Sequence, residues 1–217
     1  MRNQYFFELE VSVEQIGLAY QLVDYSIAHH PVKDIFSKDP EGKARQRDFR
    51  FTGTIGEVVF ADAYNLPRPT RSFGAIDGQD FGQDFLFDIG SRRQSFDIKA
   101  MMRQNNRFRE NYVLNLPAYQ MRRSDVITDY YFCISFHTES NSKLMASFLG
   151  YVAKTDIENG KIGILYKAQT RRVKDNGDSF LFQRDTYEVD FGDITSPPIP
   201  KKYKYMAGFK IKNILPK

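Results

Sequence analysis

Tryptophan is absent from this 217-residue chain, histidine occurs three times and cysteine once. A lone thiol, Cys133, excludes an internal disulfide framework and a cysteine-built zinc site. It lies in the apolar, strand-like run YYFCISF and reads as a small buried hydrophobe. The histidines form no His-Glu-x-x-His helix and no Ser/His/Asp order, and no glycine-rich Walker loop precedes a Lys-Ser/Thr pair. No apolar run approaches the roughly 18 residues of a membrane span. The opening MRNQYFFELE has none of the apolar stretch of a signal peptide. The expectation is a cytoplasmic protein without a membrane partner. Internal repeats, low-complexity tracts and an interdomain linker are also missing, so residues 1–217 are read as one domain.

What is present suits a folded domain. Apolar residues make up 41% of the chain, and 19 Phe and 13 Tyr supply core-forming bulk. The net charge of +4, with a pI near 9.0, permits a polyanionic partner without demanding one.

After an extended opening, Ser12 and Gln15 are spaced as a capping box. Val13, Ile16, Ala19, Tyr20, Val23 and Ile27 recur at helical spacing, which predicts an amphipathic helix that Pro31 ends. Residues 31–52 are charged and loop-like. Asp39-Pro40-Glu41 resembles a helix start, but Gly42 follows at once. The basic residues Lys43, Arg45, Arg47 and Arg50 fit a solvated face or a phosphate-contacting one. A second helix is predicted over residues 53–65, and Glu57 sits in an otherwise apolar turn of it, amid Ile55, Val58 and Val59. Either it faces solvent or it meets a partner at an opening. The Gly- and Asp-rich loop that follows carries Asp77 and Asp80 but lacks the frame of a calcium loop.

Residues 84–99, DFLFDIGSRRQSFDIK, are the chemical centre of the sequence. Phe85, Phe87 and Ile89 alternate with Asp84, Leu86 and Asp88, and Phe96 and Ile98 alternate with Asp97 and Lys99. Two short strands reversing around residues 90–93 are predicted. With Ile89 opposite Gln94, Asp84 lies opposite Lys99, Leu86 opposite Asp97 and Asp88 opposite Ser95. Asp84, Asp97 and Lys99 then share one face, and a one-residue slip would separate them. Carboxylate oxygens suit Mg²⁺ or Mn²⁺, and a neighbouring ammonium can hold a water and offset charge on a phosphoryl group.

These residues resemble the PD-(D/E)xK motif. Asp84 is followed fourteen residues later by Ile98, flanked by Asp97 and Lys99. Gln83 stands where the motif's proline would be, a departure many members share. Glu57 is similar to the acid that such nucleases often carry on the preceding helix. The similarity spans roughly residues 45–137, and residues 138–217 match no particular member. The resemblance to this restriction-endonuclease-like superfamily implies a mixed α+β fold, a mixed central sheet flanked by helices with the motif on two central strands; the C-terminal half reads as strand-rich from its own residues. It also implies that Asp84 and Asp97 bind Mg²⁺, or Mn²⁺ in its place. The main-chain carbonyl of Ile98 would be a further ligand, Glu57 would bind directly or through water, and Lys99 would orient or activate the water.

Downstream, residues 103–110 are rich in Arg, Asn and Gln, a composition shared by flexible surface loops and phosphate-contacting segments. A strand over residues 112–116 and a short helix over 117–123 follow. Strands are predicted at 130–136, buried on both sides, at 144–153 and at 161–168. Residues 179–183 and 186–191 could pair around Arg184-Asp185. The tail carries Lys201, Lys202, Tyr203, Lys204 and Tyr205, a pattern of solvated termini and of nucleic-acid binders alike. The candidate DNA contacts are Arg103, Arg107, Arg109, Arg122, Arg171 and Arg172. The functional expectation is a Mg²⁺-dependent endodeoxyribonuclease of type II restriction character, acting on double-stranded DNA as a homodimer by analogy. The alternatives are a repair or phage nuclease on branched or single-stranded DNA, and a catalytically silent DNA-binding module of the same fold.

Overall fold

A computed structural model describes residues 4–29, 40–70, 84–89, 91–104, 112–122, 128–173, 177, 179–206 and 209–214. Asp77, Asp80, Arg107 and Arg109 lie outside these described residues. Strand β1 (Gln4–Glu10) leads into helix α1 (Val13–His29). The capping box forms as predicted. The Ser12 N–H donates to Gln15 Oε1 at 2.9 Å, and the Gln15 N–H donates to Ser12 Oγ at 3.1 Å.

The second helix is much longer than its sequence suggests. Helix α2 (Pro40–Tyr64) is one 25-residue element that takes in the charged stretch expected to be a loop, glycines included. Its N-terminal half docks on α1. Arg47 forks onto Asp24 at 2.8 and 2.9 Å, Tyr20 stacks on Phe51 at 4.2 Å, and the buried Arg50 donates to Ser26 at 3.2 Å. Packing of this kind outweighs the roughly 1 kcal/mol that each interior glycine costs. It also buries Arg50, leaving it poorly placed for a phosphate, while Arg47 stays exposed and is engaged by Asp24.

The remaining elements are β2 (Phe85–Ile89), β3 (Arg92–Met102), β4 (Val113–Pro117), α3 (Ala118–Arg122), β5 (Tyr130–Thr138), β6 (Leu144–Ala153), α4 (Lys154–Glu158), β7 (Ile164–Tyr166), β8 (Arg171–Val173), β9 (Ser179–Leu181), β10 (Thr186–Asp190), α5 (Lys201–Lys204) and β11 (Ile211–Ile214). The fold is mixed α+β. A six-stranded mixed sheet has the order β11-β1-β6-β5-β3-β2. Its one parallel pair is β3 with β5. Parallel neighbours need a crossover, and this one contains β4 and α3. A second sheet has the order β4-β10-β7, and β8 pairs with β9 in a ribbon.

One expected pairing and one expected strand position differ in the structure. Strand β9 pairs with β8, not with β10, which lies between β4 and β7. Within the motif hairpin only β3 is internal, while β2 forms the edge of the described sheet.

The large sheet carries a core on each face. Ile55, Val59 and Phe60 of α2 pack with Phe7, Phe96, Ile98, Phe132 and Phe148 on one side. Phe60 is the hub, with ring centroids 5.0 Å from Phe85, 5.8 Å from Phe87 and 4.8 Å from Phe132. The other face packs Tyr131, Cys133, Leu149 and Val152 against Leu114, Leu116, Met121 and Val189. Strand β5 is therefore buried on both sides, as its unbroken apolar run predicts. No described helix is long and apolar enough to cross a membrane.

Candidate active site

The site grows out of the alternation in β2 and β3. Phe85, Phe87, Phe96 and Ile98 turn toward α2, so period 2 sends Asp84, Asp97 and Lys99 to the other face. Close approach of the helix enforces this orientation. A Cβ placed on Gly56 would sit 2.6 Å from the Ala100 Cβ, leaving no room for a larger residue between α2 and β3.

The hairpin register differs from the expected one by two residues. Phe85 pairs with Phe96, Phe87 with Gln94, Asp88 with Arg93 and Ile89 with Arg92. One step beyond Phe85, Asp84 comes level with Asp97 rather than Lys99, and Leu86 faces Ser95 rather than Asp97. The cause is the turn: the chain resumes its strand at Arg92, so the reversal is tighter than expected. An even shift preserves the faces, so the acids and the lysine still converge.

The Asp84 N–H donates to the Phe96 carbonyl at 2.8 Å, and Asp84 Oδ2 accepts the Ile98 N–H at 2.6 Å. A residue's N–H and C=O point to the same side of a strand. The Ile98 carbonyl therefore points to the Asp84 side as well. Lys99 Nζ lies 2.7 Å from Asp97 Oδ2, and the two side chains are only 21% and 14% exposed. The ammonium also donates to Gln120 Oε1 at 3.3 Å and lies 5.4 Å from the centroid of the Tyr131 ring. Burial pushes the Lys99 pKa down, but the charge of Asp97, its hydrogen bond and the charge of Asp84 prevail and hold it above the ordinary lysine value. Lys99 is thus an ammonium at neutral pH, suited to orienting a water or offsetting negative charge rather than to taking up a proton.

Glu57 follows Gly56 on α2 and belongs to the helical layer, on the opposite side of β3 from Asp97 and Lys99. Among the described residues, no group of three or more His, Cys, Asp or Glu side chains is placed to hold a metal ion. The structure gathers Asp84, Asp97, Lys99 and the Ile98 main chain.

Compared with family models, curated proteins and solved structures, the chain matches none. The site's own chemistry carries the functional reading. Two carboxylates level with each other repel, and one ammonium offsets only part of that charge. Their oxygens and the Ile98 carbonyl are hard donors. Mg²⁺ commonly takes one or two carboxylates and keeps its remaining positions for water and substrate oxygens. A carboxylate has acceptor capacity for more than one partner. By the chemistry of its donor set, the site fits Mg²⁺ or Mn²⁺.

The proposed DNA-contacting arginines fall into different settings. Arg103 is turned into the protein. Its guanidinium donates to Ser135 Oγ at 3.3 Å and the Val113 carbonyl at 3.2 Å, and it lies 4.2 Å from the Tyr112 ring centroid. Burial pushes its pKa down. It ties the end of β3 to β4 and β5, an arrangement that leaves it poorly placed for a phosphate. Arg172 pairs with the buried Glu188 at 3.0 Å, whereas its neighbour Arg171 is exposed on the β8–β9 ribbon. Arg122 is exposed on α3.

The residue that sequence reasoning left without a role is Gln120, whose contact with Lys99 spans 21 positions of chain. A polar residue on a short helix beside a basic pair carries no local signal for such a contact. The tail's aromatics were legible only as composition: Tyr203 packs 6.2 Å from Phe7 and 5.5 Å from Phe209, as part of the core.

Proposed function

We propose that the chain is a Mg²⁺-dependent endodeoxyribonuclease with a PD-(D/E)xK, restriction-endonuclease-like site, of type II restriction character. One observation carries this reading. Asp84, Asp97, Lys99 and the Ile98 main chain converge on one face at the β2–β3 edge, and the Lys99 ammonium is bonded to Asp97 at 2.7 Å. The mixed sheet and the helix packed behind β3 are consistent with it.

Asp84, Asp97 and the Ile98 carbonyl would hold the cation, while Glu57, in the helical layer on the other side of β3, is left out of this set. Bound Mg²⁺ would supply Lewis-acid charge that polarises a phosphoryl oxygen. Lys99 would orient the attacking water and stabilise charge on the phosphoryl oxygens as the P–O bond breaks. Asp97 and Gln120 hold the ammonium in place for that task. Cutting both strands of a duplex needs two such sites, which a two-fold dimer would provide.

The test is cleavage of supercoiled DNA in Mg²⁺ or Mn²⁺. Lys99→Ala and Asp97→Asn should each slow the parent's cleavage by about 100-fold or more. Variants that nick as fast as the parent would show that this site is not the catalytic one. A parent that binds DNA with strong salt dependence but never cuts would instead be a silent binding module.

A further inference from the structure

Gln120 links Lys99 to a second cluster of residues. Its Nε2 donates to Tyr119 Oη at 3.3 Å. Tyr119 lines an open cleft with Arg122, Arg184 and Asp185. The cleft lies between α3 and the loop that joins β9 to β10, and the Ala118 N–H clamps its two sides by donating to the Asp185 carbonyl at 2.8 Å. Tyr119 is 45% exposed, and the Arg184 guanidinium lies 5.1 Å from its ring centroid. Arg122 stands 3.9 Å and Lys167 3.0 Å from the same Asp185 Oδ2.

One carboxylate therefore serves two cations, and a third sits on an exposed aromatic ring. Exposed pairs of this kind add little to stability, typically about 0–1 kcal/mol, so packing alone gives the cluster little purpose. Cations beside a stacking platform are what a nucleic-acid strand requires: phosphates take the cations and a base takes the ring. Asp185 holds Arg122 and Lys167 in place beside the ring.

We propose that this cleft is the subsite for the DNA strand running away from the scissile phosphate. Arg122, Arg184 and Lys167 contact its phosphates and Tyr119 stacks a base. Gln120, bonded to Lys99 on one side and to Tyr119 on the other, sets the spacing between subsite and reaction centre. The inference takes the position of the scissile bond from the nuclease reading, but strand binding can be measured apart from cleavage.

The experiment uses the full chain carrying Asp84→Asn, which keeps an acceptor for the Ile98 N–H, and a fluorescein-labelled single-stranded DNA. Anisotropy titrations over about 50–200 mM salt give affinity and salt slope. Arg122→Ala and Arg184→Ala should each lower the slope by about 0.7, and Arg184→Lys should leave it in place. Tyr119→Ala should weaken binding roughly tenfold or more with the slope unchanged. Asp185→Asn, in a chain shown by its melting curve to be folded, should tighten binding. Slopes that stay at the parent value in both alanine variants overturn the assignment, as does tighter binding of the matching RNA. A parent that cuts while those slopes are unchanged loses the subsite and keeps the nuclease reading. A parent that never cuts but shows the slope losses keeps the subsite and loses the nuclease.

Discussion

Single residues set the geometry around Lys99, and glycine shows this most directly. Gly17 on α1 has nothing within 4 Å of an added Cβ, whereas Gly56 on α2 would meet the Ala100 Cβ at 2.6 Å. Gly17→Ala should stabilise the protein by about 0.5–1 kcal/mol, because alanine favours a helix with no steric conflict. Gly56→Ala gains the same helix preference but forces α2 away from β3, for a net loss of roughly 1–2 kcal/mol. Chemical denaturation of the two variants checks the contrast, and a stabilised Gly56→Ala would refute the close approach. Gln120 makes a different kind of contribution. Its carbonyl accepts from a charged donor, a bond typically worth about 1.5–3 kcal/mol. Gln120→Ala should therefore lower kcat for DNA cleavage by roughly tenfold or more with little change in KM, because it frees the ammonium without touching substrate. A change confined to KM would instead place Gln120 among the substrate contacts.

At the scale of elements, the faces of strands and the start of α1 were legible, and the partners of strands and helices were not. Residues 144–153 read cleanly as a strand because an apolar run ends at polar turns, and Ser12 and Gln15 announced α1 through a contact three residues long. The face of Asp84, Asp97 and Lys99 followed from period 2. Their register did not, because an even shift leaves the apolar pattern intact and the turn decides. Helix α2 was half-hidden because Arg47 and Arg50 find their partners on α1, 23 and 24 residues away. The pairing of β9 with β8 was likewise a tertiary choice. The sheet also buries a histidine beside a carboxylate. His137 of β5 is buried with Nδ1 unpartnered, and its Nε2 lies 3.9 Å from Oε1 of Glu8 on β1, which Lys212 of β11 also contacts. Burial pushes the His137 pKa below its ordinary 6.5. Glu8 and Glu139 push it back up and Lys212 pushes it down, but burial prevails. Just below pH 6.5 the unfolded chain binds a proton that the folded one refuses, so stability is full above that pH and falls with acidification. His137→Gln should flatten the decline of Tm between about pH 7 and 5. An unchanged slope would show that this histidine is not the group responsible.

For the molecule as a whole, the proposed metal site would make a divalent cation a ligand of the native state alone. Asp84 immediately precedes β2 and Asp97 lies on β3, and the two become neighbours only once the hairpin forms on the sheet. In the unfolded chain their charges are apart and solvated. Folding brings both charges to the Lys99 ammonium, and on the metal reading a divalent cation would offset the mutual repulsion of the two acids that one ammonium leaves. A ligand of this kind stabilises by mass action, about 2.7 kcal/mol at a hundredfold excess over its Kd. For a domain of this size that corresponds to a rise of roughly 5–10 °C in Tm. Mg²⁺ should produce that rise in the parent, while NaCl of equal ionic strength should not, since screening acts on every surface charge and not on this pair in particular. Asp84→Asn tests the cause. Its amide carbonyl can still accept the Ile98 N–H that Asp84 Oδ2 holds at 2.6 Å, so the hairpin keeps its bond and loses one charge. The variant's metal-free Tm should equal or exceed the parent's, and the Mg²⁺-induced rise should shrink to the level seen with NaCl. Asp97→Asn should differ in sign, with a lower metal-free Tm, because it leaves the Lys99 ammonium without its charged partner in a largely enclosed site. If Mg²⁺ raises the Tm of Asp84→Asn as much as that of the parent, the cation binds elsewhere and the metal assignment fails with it.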